Sequence, residues 1–176
     1  MMPLLLLLLA LPSGLEEVAR TGSIMVDGDV AARIQTARSA ASMAKPDPRD
    51  KWADADNYDV DAAAYVATKK TLMRLARLCP VTCDVNLWLP SPRGEGRVQI
   101  VIRNVNEMSQ FWTWGALDQE TPAEMKQVLA SGARVMVTKR PGMVSALAPV
   151  RNSLGDIVGL IEVVAREGSA PQENVF

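Results

Sequence analysis

Apolar residues recur at helical spacing near the start of the chain: Leu15, Val18, Ala19, Gly22, Val26, Val30, Ile34 and Ala37. Ser13 and Glu16 precede them at capping-box spacing. The pattern predicts one long helix over 15–37, bent near Gly28, with Asp27 or Asp29 able to restart it as an N-cap. Residues 44–57 (AKPDPRDKWADADN) carry no apolar period and read as a loop pinned by Trp52. A second helix is predicted over 60–78, capped by Asn57 or Asp59. Its buried stripe would be Ala62, Tyr65, Val66, Leu72, Met73, Leu75, Ala76 and Leu78, and Lys69, Lys70, Arg74 and Arg77 its wet face.

Beyond Leu78 the period falls from 3.6 to 2. Val85, Leu87 and Leu89 alternate with Asp84, Asn86 and Trp88, which predicts a strand over 83–89. After a turn rich in Pro and Gly, Val98, Ile100 and Ile102 make a second strand. Residues 104–117 hold a helical turn and the phrase FWTWG. Thr121, Pro122 and Glu124 start a short helix that Gly132 ends. Strands are predicted over 134–138, 143–151 and 156–165, and a frayed polar tail from Glu167. The last strand is apolar on both faces, which suits a central place beside the first strand. Glu162 stands inside that strand, and a carboxylate buried there must be paired or protonated.

The closing segment VSALAPVRNSLGDIVGLIEVV is two apolar runs around a Gly-Asp turn. It resembles the final hairpin of PAS-like and Cache-like sensory domains. In those domains a "P-V-x-(N/D)-x-x-G" phrase precedes a strand reading "(I/V)-V-G-(L/V)-(I/V)-E-V". Here the matching residues are Pro149, Val150, Arg151, Gly155, Ile157, Val158, Gly159, Leu160, Ile161, Glu162 and Val163. The element order is shared by PAS, GAF and Cache domains, and the leucine run with a long helix is most similar to the extracytoplasmic single-Cache type.

The resemblance implies an α+β fold: a PAS-like five-stranded antiparallel sheet, a long N-terminal helix, and helices packed on the sheet. It implies a sensor domain over 13–166, a flexible tail over 167–176, and a signal peptide or the end of a membrane anchor over 1–12. The implied function is an extracytoplasmic ligand-sensing input domain of a bacterial signal-transduction system, binding a small organic solute. The alternative is a PAS-like dimerisation or scaffold module without a ligand. The localisation implied is periplasmic or extracytoplasmic, membrane-anchored through the N-terminal segment.

Composition narrows the chemistry. The 176 residues carry a formal net charge of -1, so nucleic acid is not an expected partner. There is no histidine, which removes the commonest general base and metal ligand. No nucleophile motif replaces it. We therefore expect a binding module and not an enzyme, with no metal and no cofactor. Cys79 and Cys83 are read as buried thiols; a disulfide across so tight a loop needs a sharp backbone turn. The run MMPLLLLLLAL is too short to cross a bilayer alone and has no basic residue ahead of it. A homodimer is expected through the 15–37 helix, whose stripe is longer than a sheet needs for cover.

The candidate ligand-binding residues are Tyr65, Trp88, Arg103, Trp112, Trp114, Lys139 and Arg151. Pockets combine aromatic walls with a few fixed polar groups. Trp112 and Trp114 stand in the segment that would cover the sheet. Arg103, Lys139 and Arg151 are cations near strand ends, and a guanidinium grips a carboxylate through two parallel bonds. The expected ligand is a small molecule such as a carboxylate, held between the sheet and residues 104–120.

Overall fold

The computed structural model describes residues 3–44, 59–103, 118–137 and 141–169. The period-2 stretches become a six-stranded antiparallel sheet in the order β3-β2-β1-β6-β5-β4. The strands are β1 (Cys83–Pro90), β2 (Arg97–Ile102), β3 (Asp118–Glu120), β4 (Val135–Val137), β5 (Met143–Arg151) and β6 (Ile157–Arg166). Five of them are the predicted strands. β6 lies between β1 and β5, as its two apolar faces require. The extra strand, β3, falls within the segment expected to be irregular. It pairs along β2 from Arg97↔Glu120 to Gln99↔Asp118. The fully buried Asp118 carboxylate takes bonds from Arg97 Nε at 3.1 Å and Nη2 at 2.9 Å.

The helices are α1 (Pro3–Met25), α2 (Gly28–Arg33), α3 (Ala37–Ala44), α4 (Ala62–Ala76) and α5 (Ala123–Ser131). The predicted long helix starts earlier and breaks sooner than its stripe suggests. Ser13 lies inside α1 and not at its start. At Asp27 the backbone turns extended, and its carboxylate accepts the Val30 N–H at 3.1 Å, starting α2. The break also has a packing cause: a Cβ on Gly28 would overlap the Arg151 carbonyl. α4 is capped by Asp61, two residues later than expected, through the Ala64 N–H at 3.0 Å. Its buried stripe is Ala64, Thr68, Leu72 and Leu75, while Val66, Met73 and Leu78 are exposed. The helix packs this stripe against α1, α2 and β1. Pro122 is the N-cap residue of α5, without a side-chain cap, and Gly132 closes it at φ 70°.

The two sheet faces have different covers. α1, α2 and α4 lie on one face, over Val85, Leu87, Leu89, Val144, Ala146, Val150, Ile161 and Val163. α5 lies on the other, where Met125 and Val128 meet Trp88, Val98, Ile100, Leu147 and Leu160. A bulge lets β2 serve both faces. Leu87 is opposite Ile102 but Trp88 is opposite Ile100, so the extra Val101 moves Ile102 to the helical face.

The stripe of α1 and α2 is used within the chain. Leu15, Val18, Ala19, Val26 and Ile34 are buried in this core. That removes the reason the sequence offered for self-association through residues 15–37. Among the described residues no helix is long and apolar enough to cross a membrane. Cys79 and Cys83 are joined as a disulfide with their Cα atoms 6.2 Å apart, contrary to the expected thiols. The sharp turn that this needs comes where α4 ends and β1 begins, at Pro80.

Candidate functional site

On the α5 face the centre of the sheet is polar. Asp84, Asn86 and Trp88 alternate along β1, and Glu162 lies directly across from Asn86 on β6. Ser145 stands on β5 opposite Val164, two pairs along from Glu162. All five are fully buried. The Glu162 carboxylate accepts three bonds. Trp88 Nε1 donates to Oε2 at 3.0 Å, Asn86 Nδ2 donates to the same oxygen at 3.3 Å, and Ser145 Oγ donates to Oε1 at 2.8 Å. Such donors occupy lone pairs that burial would otherwise leave without partners. An apolar collar of Ile100, Leu147, Leu160, Met125 and Val128 surrounds this strip. The arrangement is a buried, acceptor-rich strip inside an apolar collar.

The expected site residues do not gather there as a set. Only Trp88 does, and it is a fully buried donor to Glu162 where an aromatic pocket wall was expected. Tyr65 and Arg103 are joined instead through Lys69 of α4. Lys69 Nζ lies 5.7 Å from the Tyr65 ring centroid and donates to the Arg103 carbonyl at 3.0 Å. Arg151 closes its own hairpin, with Nη1 donating to the Gly155 carbonyl at 2.8 Å. It lies at the far end of β5, exposed, so it is a turn residue and no part of the central strip. Trp112, Trp114 and Lys139 lie outside the described residues.

Asn86, Asp84 and Ser145 were missed. Yet a last strand apolar on both faces implies cover on both faces, and its neighbour β1 inherits that cover. The polar half of the 83–89 alternation is then buried too. Glu162 was the one charge whose burial could be read directly from its apolar neighbours. Among the described residues, no group of three His, Cys, Asp or Glu side chains could hold a metal ion.

The closing hairpin explains the phrase that the sequence shares with sensory domains. Asn152 Oδ1 accepts the Leu154 and Asp156 N–H groups at 3.0 and 2.8 Å, and Gly155 takes φ 88°. An Asn and a Gly three apart are what this turn demands. With the last strand between the first and the penultimate one, and helices on the sheet, the chain has a PAS-like α+β fold. No family model matches the chain, and no curated protein matches it. Two solved structures are similar to it. One is the A. aeolicus nlh2 GAF domain in an inactive state, at 10% identity and TM-score 0.35, covering 86% of this chain and 83% of that one. The other is the ligand-binding domain of the Pseudomonas aeruginosa amino acid chemoreceptor PctC in complex with GABA. It is 16% identical at TM-score 0.34, and the match covers 88% of this chain and 63% of that one.

Proposed function

We propose that this chain is a sensory input domain that binds a small organic solute on the α5 face of its sheet. The observation that carries the reading is the buried polar strip of Asp84, Asn86, Ser145 and Glu162. A sheet that only needed a core would place apolar residues there, because each buried polar group must recover its lost hydration. The closing-hairpin phrase supports the same reading. The role is binding and not catalysis: the chain has no histidine and no nucleophile motif. The Cys79–Cys83 disulfide favours an oxidising, extracytoplasmic compartment. Membrane attachment through the N-terminal leucines belongs to the same proposal.

A second reading has its own observation. Glu162 is held by three donors of this chain, as a purely structural carboxylate would be. On that reading the domain is a scaffold or dimerisation module. A thermal-shift screen with amino acids, organic acids, amines and sugars separates the two. A compound that binds only the native state must raise its Tm in a saturable way. A compound that does so, and fails to in Leu160→Trp, supports the sensor. No shift with any compound, together with a concentration-dependent dimer in light scattering, supports the scaffold.

A further inference from the structure

We infer that Asn86 is the anchor for a ligand carrying a primary ammonium group. This rests on the binding reading above and narrows it to a chemical class. Asn86 is fully buried at the centre of the α5 face. Its Nδ2 donates to Glu162 Oε2 at 3.3 Å. That bond fixes the amide, because turning it over would set a carbonyl oxygen against a carboxylate oxygen. Oδ1 is thereby committed to its place, and it accepts no hydrogen bond there. Nearly all buried carbonyl oxygens in folded proteins have a partner, so an orphan marks a group that something else satisfies.

The neighbours say what kind of group this is. Across the strand pair stands Glu162, and two residues earlier on the same face stands Asp84, both fully buried. Ser145 Oγ already donates to Glu162. Asn86 Oδ1 thus sits among acceptors. A carboxylate brought to this spot would add acceptors and leave Asn86 Oδ1 without the donor it lacks. An ammonium group brings three N–H donors and no acceptor, which is the complement of a place that holds acceptors already. The expectation of a carboxylate ligand came from Arg103, Lys139 and Arg151. Of these, Arg103 and Arg151 lie at strand ends and not in this strip.

The test uses the full chain and matched probes: ethanolamine with ethylene glycol, 1,4-diaminobutane with 1,4-butanediol, and alanine with propionate. Each is titrated by thermal shift and calorimetry against the wild type and Asn86→Leu. We expect an ammonium probe to raise Tm while its matched partner does not, and its affinity to fall about tenfold or more in Asn86→Leu. Should Asn86→Leu not fold, the side-chain amide resonances of Asn86 in the wild type replace it. They must shift with the ammonium probe and stay fixed with its partner. Equal response within a pair, or an ammonium response unchanged by Asn86→Leu, overturns the inference and leaves the binding reading standing. No response to any probe also overturns it, and assigns the Asn86 carbonyl to an internal water.

Discussion

Glu162 shows how one side chain can organise its surroundings. Three donors from two neighbouring strands end on its two oxygens. Glu162→Ala would strand all three in a dry place, at about 1–3 kcal/mol for each unsatisfied group. We expect a loss of about 3 kcal/mol or more in urea unfolding. Glu162→Gln should cost far less. The amide carbonyl can replace Oε2, and the Ser145 hydroxyl can rotate to accept from the new N–H. If the two variants unfold at the same urea concentration, the hydrogen bonds are not what holds this strip. Trp88 was legible in the sequence as a candidate aromatic of the site, and Glu162 as a charge in an apolar run. Their mutual bond was not, because it depends on the register that puts residues 74 apart side by side.

At the scale of elements, sequence fixes periods better than ends. All five predicted strands form, and α5 forms where its breakers say. The helix starts shifted because several aspartates compete as caps. Asp27 and Asp61 succeed where the chain direction also meets its neighbours: Asp29 Oδ2 accepts the Ser153 N–H at 2.9 Å, tying α2 to the β5–β6 turn. Gly28→Ala should therefore destabilise by on the order of 1–3 kcal/mol, since the new methyl meets backbone that cannot swing away. A Tm equal to wild type would mean that the turn moves freely. β3 was illegible because a three-residue edge strand is fixed by its partner β2 and by the Arg97–Asp118 contact, not by its own period. The disulfide was also illegible, since spacing alone does not give the turn at Pro80. Its loop spans only four positions, so reduction should remove about 2 kcal/mol. Comparing unfolding with and without dithiothreitol checks this.

At the scale of the molecule, β1 and β6 are bonded on both edges and covered on both faces. Their amides should be the slowest to exchange with deuterium, and those of β3 and β4 the fastest in the sheet. Faster exchange in β6 than in β4 would contradict the layered packing. That the last strand is covered on both faces could be read from the sequence, but the occupant of the α5 face could not. Strand alternation says which residues share a side, and only the assembled sheet says which side is dry. That alternation has one more consequence along β6. Ile161 and Val163 press on the α1 side while Glu162, between them, belongs to the opposite layer. The partition between the two compartments is a single polypeptide thick at this place. A push on Glu162 is thus a push on the backbone that carries Ile161 and Val163. The first helix, lodged against Ile161 at Gly22, is the next solid body in line.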